Sequence, residues 1–141
     1  MIEIQSALAV LQTEAGLLLM LKRRDDDRSY PSKWGFPGGR TDEGEDSKAS
    51  VIREIFEEVG IRENKILNIE YAGEMKSPLP SRNRIYVIHI YMVSVPNIIE
   101  VKLSEEHSDM AFLTPEDALG LELAGSVTES LIRGLLKYGE E

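Results

Sequence analysis

The sequence predicts an α/β fold of the mixed (α+β) type, a mixed β-sheet sandwiched between α-helices. Three observations predict it. Aliphatic and β-branched runs of strand length recur along the chain, apolar residues at three- and four-residue spacing mark helices between them, and 42% hydrophobic content over 141 residues suffices for one core. The order strand, strand, helix, strand, strand, helix, helix implies a sheet with both parallel and antiparallel neighbours and helices on its faces. With no repeat, low-complexity tract or long linker, residues 1–141 are expected to form a single domain.

Ser6 to Leu11 and Leu17 to Leu21 are aliphatic, and Thr13-Glu14-Ala15-Gly16 between them suits a turn, so a hairpin is expected. Lys22 to Asp27 reads as a solvated, charged connection, and Trp34 to Gly39 as a shaped loop, since its glycines and proline suit neither a helix nor a long strand. Ala49, Ile52, Ile55, Phe56 and Val59 recur at helical spacing from Ser47 to Val59, with Ser47 near the N-cap and Gly60 at the C-cap. Ile66 to Tyr71 and Ile85 to Val95 read as strands, and Pro78 and Pro80 make Ser77 to Asn83 a loop. A short strand at Ala111 to Leu113 precedes a helix opening at Thr114-Pro115-Glu116, and another helix runs from Val127 to Tyr138.

Composition excludes several functions. The chain has no cysteine, so disulfides and thiolate metal sites are ruled out, any metal must be oxygen-bound, and a reducing cytoplasm is the expected setting. A net charge of -9 opposes stable binding to nucleic acid. No apolar run reaches membrane-spanning length, and the N-terminus lacks the basic leader of a signal peptide. A short aspartate run, Asp25 to Asp27, lacks the alternating ligands and glycine of a calcium loop.

On a helical wheel Glu54, Glu57 and Glu58 fall in a sector of roughly 100°, opposite a stripe of Ala49, Ile52, Phe56 and Val59. Like charges at this spacing destabilise a helix unless cations neutralise them, and Arg53 supplies one positive charge. Alone, a glutamate-rich helix is more simply a solvated acidic face. The surrounding spacing reverses that reading. Gly39, Glu45 and Arg53-Glu54-Ile55-Phe56-Glu57-Glu58-Val59-Gly60-Ile61 match every defined position of the signature of the Nudix family. A chance match in a chain this size is on the order of one in ten million at ordinary residue usage. Trp34-Gly35-Phe36-Pro37-Gly38-Gly39 resembles the family's lead-in, and Glu105 to Asp109 with Phe112 resembles a downstream segment of many members.

The resemblance implies the Nudix fold and hydrolysis of the pyrophosphate linkage of a nucleoside diphosphate joined to another moiety, by metal-activated water. Its cofactor would be Mg²⁺, with Mn²⁺ as a substitute. It implies Glu54, Glu57 and Glu58 as metal ligands, with the backbone carbonyl of Gly38 as a further one. Arg53 resembles the arginine that orients a neighbouring glutamate, and Glu45 the one that braces the loop before the helix. The general base is Glu54 on the helix, or Glu105 or Glu106 beyond it. Candidate substrate contacts are Trp34, Arg40, Arg82 and Arg84; Arg23 and Arg24 are explained as well by solvation, and His89 and His107 by packing or solvation. Among substrates, a nucleoside triphosphate ranks first and ADP-ribose or another nucleotide sugar second. A non-catalytic nucleotide-binding module is disfavoured by the intact glutamates, and monomer and homodimer are both compatible with the chain.

Overall fold

A computed structural model describes residues 1–139. The elements are β1 (Ile2–Thr13), β2 (Leu18–Arg23), β3 (Trp34–Gly35), β4 (Gly38–Arg40), α1 (Ser47–Val59), β5 (Asn68–Leu79), β6 (Arg84–Val95), β7 (His107–Leu113), α2 (Pro115–Leu119) and α3 (Gly125–Gly139). They form one mixed sheet ordered β3-β2-β1-β6-β5, with β4 also paired to β1 and β7 to β2. β1 and β6 run parallel over their whole length, from Ile2 opposite Arg84 to Thr13 opposite Val95. The other pairings are antiparallel.

Alternation along the strands explains the layers, because successive side chains leave a strand on opposite faces. Ala7, Ala9 and Leu11 of β1, Leu19 and Leu21 of β2, and Tyr91, Val93 and Val95 of β6 join Val51, Ile55 and Val59 of α1 in one core. Val10, Leu18, Met20 and Ile90 turn the other way and meet Phe36, Ala118 of α2 and Ile132 of α3. With both faces covered, central strands read as continuous apolar runs.

Four expectations need correction. The hairpin is one only at its turn: β1 and β2 pair at Gln12 and Leu18 and then part, because β4 occupies the place beside Ser6, Ala7 and Leu8. The loop at Trp34 to Gly39 contains two short strands, β3 and β4, while its Phe36 is buried as core. β5 continues through Pro78, paired with Ile85, so only Pro80 to Asn83 turns. β5 pairs with β6 alone, and an edge strand tolerates a proline whose missing N–H would otherwise interrupt a ladder. Finally, the wheel of α1 is rotated from the expected stripe: Ser50, Val51, Ile55, Glu58 and Val59 are buried, whereas Phe56 is 46% exposed with the Arg62 guanidinium 5.0 Å from its ring centre.

Candidate active site

α1 is held at both ends by local chemistry. Asp46, rather than Ser47, is the N-cap, its carboxylate accepting the Ala49 N–H at 2.8 Å. Gly60 closes the helix in the left-handed region at φ 71° and returns its N–H to the Phe56 carbonyl at 2.9 Å. Between these caps the glutamates divide. Glu57 stays exposed, Glu54 is partly buried, and Glu58 retains 5% of its surface.

Glu58 points beneath the loop that precedes the helix, where its Oε2 accepts the Gly38 N–H at 3.3 Å. Burial pushes this carboxyl up to about 9, with the Glu54 and then the Glu106 charges adding to the effect against the bond from Gly38. Burial likewise raises Glu54, although Arg53 opposes it. The Glu54 charge disfavours ionisation of Glu58, so the two carboxyls titrate as a pair.

Arg53 organises the remaining acids. Its Nε and Nη2 donate to the two oxygens of Glu45 at 2.8 and 3.0 Å, and its Nη1 donates to Glu54 at 2.9 Å and Glu57 at 3.0 Å. Nη2 also donates to the Arg40 carbonyl at 3.0 Å, tying β4 to the helix. Glu45 in turn accepts the Asp42 N–H at 3.0 Å, which fixes the turn before α1. The Arg53 guanidinium holds the Glu45 carboxyl down to about 2.

Two glycines allow these approaches. A Cβ at Gly39 would stand 2.6 Å from Glu54 Cδ, and one at Gly38 would stand 2.5 Å from the Ala7 carbonyl oxygen. The loop therefore presents bare main chain to the carboxylates. The donor set fits a hard divalent cation: oxygen ligands, and two carboxyls pushed upward by burial, of which Glu54 is partly relieved by Arg53 while Glu58 has no ion-pair partner among the described residues. Among the described residues no three acidic or histidine side chains already form a cage, because Arg53 draws Glu54 and Glu57 to itself.

The downstream segment is fastened to the end of α1 by Lys102 N–H to the Val59 carbonyl at 2.8 Å and Ser104 N–H to the Glu58 carbonyl at 2.9 Å. This brings the Glu106 charge near Glu58, while the Glu105 carbonyl faces Arg24 Nη1 at 3.5 Å. Arg40 is exposed on β4 beside the site. Trp34 lies on β3 against the core on the α2 and α3 side. Arg82 and Arg84 stand away from the glutamates, for Arg84 pairs with Ile2, five residues along β1 from the Ala7 that faces Gly39. His89 sits between the Tyr71 hydroxyl and the Gln5 side chain, each at 3.0 Å. Arg23 and His107 are only partly exposed and line a common cavity, a grouping that solvation of the Lys22 to Asp27 run does not anticipate.

A family model described as the NUDIX domain matches residues 3–133. The chain belongs to the Nudix family. This Nudix hydrolase acts on phosphoric anhydride bonds, and the family uses divalent metal ions. The chain is 30% identical over 127 residues to the nucleoside triphosphatase NudI of Escherichia coli O139:H28, covering 86% of this chain and 90% of that one. The MutT protein of Methanosarcina mazei Go1 superposes with a TM-score of 0.82 at 26% identity, covering 99% of this chain and 97% of the other. An Ap4A hydrolase of C. elegans shares the fold, with a TM-score of 0.75 at 24% identity over 96% of each chain. No described helix is long and apolar enough to cross a membrane.

Proposed function

We propose that this Nudix hydrolase is a magnesium-dependent nucleoside triphosphate pyrophosphatase, with Mn²⁺ able to replace Mg²⁺. The observation that carries the reading is the buried Glu58 carboxyl, held beneath the glycine loop within reach of the Glu54 charge and without an ion-pair partner among the described residues. The name of its relative, a nucleoside triphosphatase, supports the substrate class. Glu54, Glu57 and Glu58 would hold the metal, with the Gly38 carbonyl as a further donor. When bound, the cation supplies charge neutralisation at the phosphates and a lower pKa for a water nucleophile.

The chain's own groups do the rest. Arg53 positions Glu54 and Glu57 through one nitrogen and anchors the loop through the other two, so it is a positioning residue. Glu106 is a better placed proton acceptor than Glu105, because its charge is felt at Glu58; Glu54 is the alternative on the helix. Arg40, beside the site, is better placed for a phosphate than Arg82 or Arg84. Trp34 retains at most a positioning role through the core it packs against. Residues 1–141 act as one domain in this reading, in the cytoplasm, as a monomer or homodimer.

The test is phosphate or pyrophosphate release from nucleoside triphosphates, ADP-ribose, sugar nucleotides and dinucleotides with magnesium. The triphosphates are expected to be the preferred group. Glu57→Gln and Glu58→Gln should each abolish turnover while circular dichroism stays unchanged. Near-normal activity of both variants at limiting magnesium would exclude the assignment.

A further inference from the structure

Beside the carboxylates lies a cavity of about 400 Å³, lined by Arg23, Arg24, Asp26, Asp27, Glu106 and His107. Its position follows from strand alternation. Leu19 and Leu21 face α1, and Arg23 continues that series at the end of β2. The β2 and β7 ladder then slips: Lys22 pairs with Asp109 but Arg23 with His107, a bulge that brings the two side chains to one end of the sheet. Glu106 is shared between this cavity and the neighbourhood of Glu58.

The lining is polar without being cationic. Two arginines face three acids, and Asp26 and Asp27 are already engaged: Arg24 Nε donates to Asp26 at 3.1 Å, and Asp27 accepts the N–H groups of Ser29 and Tyr30 at 2.9 and 3.0 Å. Such a surface does not attract a phosphate tail. It offers donors and acceptors together, which suits an uncharged polar group. Two atoms among its residues, Arg23 Nε and His107 Nδ1, are buried with no hydrogen-bond partner. Arg23 Nε does lie 3.2 Å from Asp27 Oδ2, but its N–H is not aimed there, so that contact is ionic only. Both atoms carry a desolvation cost in the free protein, and a turn of either side chain toward a ligand in the cavity would relieve it. Burial holds His107 below its ordinary range, so the ring is neutral near pH 7 and Nδ1 is free to donate or accept.

We infer that this cavity receives the sugar and nucleobase of the substrate, with Arg23 and His107 as the specificity-determining contacts. The inference rests on the nucleotide hydrolase reading and adds to it the place where the uncharged end of the substrate is read.

Metal-free protein titrated with AMP, GMP, CMP and UMP, followed by amide and imidazole NMR signals, tests it. The largest shifts are expected at residues 23–30 and 106–108, with one base favoured, and both should disappear in Arg23→Ala and in the milder His107→Asn. Each variant's dispersed spectrum checks that it is folded. Shifts centred on Leu8, Ile88 and Met92, on the opposite face of the sheet, would overturn the assignment, as would unchanged binding by both folded variants. With magnesium, Arg23→Ala should raise KM by about tenfold or more and flatten the preference among the four bases, while kcat falls less. A wild-type protein that cleaves no nucleoside triphosphate would defeat the substrate reading, and the titration would still decide the cavity.

Discussion

Glu58 and Glu45 are opposite in electrostatics, one raised by burial and the other lowered by Arg53, and their titrations should pull stability in opposite directions. Burial raises Glu58 from 4.5 to about 9, so the folded metal-free chain keeps a proton that the unfolded chain releases. That contribution is fully present below about pH 4.5 and is lost as pH rises toward 9. Arg53 depresses Glu45 from 4.5 to about 2, so the contribution of this pair is complete above pH 4.5 and is lost as pH falls toward 2. Thermal melts in EDTA should therefore decline as pH rises from about 4.5 toward 9, and Glu58→Gln should reduce that decline, leaving the part due to Glu54. Magnesium should flatten it as well, since a bound dication favours the ionised carboxylates. Identical alkaline slopes with and without magnesium would contradict the placement of the metal at these side chains.

At the scale of the element, the loop of β4 and the helix α1 form one unit, and its two glycines separate stability from activity. A methyl group at Gly39 meets only the flexible end of Glu54, which can move aside, so Gly39→Ala should keep most of the stability while displacing a carboxylate. Activity is expected to fall about a hundredfold, the order seen when a catalytic constellation is misplaced by an ångström. A methyl group at Gly38 meets the Ala7 carbonyl and Leu8 Cα, which are backbone, so Gly38→Ala should lower the urea midpoint markedly. Asp46→Ala removes the N-cap and should cost about 1 kcal/mol without altering the metal requirement. A Gly38→Ala protein as stable as wild type would show that the loop is looser than these contacts imply.

Across the whole molecule, one sheet separates two cores, and only one of them supports the carboxylates. Ile55 and Ile132 are both fully buried, Ile55 under α1 and Ile132 under α3. Truncating either to alanine should destabilise by about 2–5 kcal/mol, because each leaves a cavity in a packed core. The consequences for catalysis should differ. Ile55→Ala loosens the helix that carries Glu54 and Glu58, so activity should fall even well below the melting temperature, whereas Ile132→Ala should retain it there. Equal activity losses in the two variants would mean that the cores act as a single unit.

The sequence by itself determined the chemistry and most of the elements. The spacing of Gly39, Glu45, Arg53 and the three glutamates identifies the signature helix, and aliphatic runs of strand length mark β1, β2 and β6 without any knowledge of their neighbours. Only the tertiary structure decided which arc of that helix faces inward. Glu58 follows Val51 and Ile55 on the buried side and Phe56 does not, because the glycine loop lies under the helix there and donates the Gly38 N–H to the Glu58 carboxylate. It also decided that β2 leaves β1 for β7, and that Arg23 meets His107 from the far end of the chain. Periodicity reports what alternates within a segment; contacts between distant segments depend on which surfaces exclude the most water together, and no single segment carries that information.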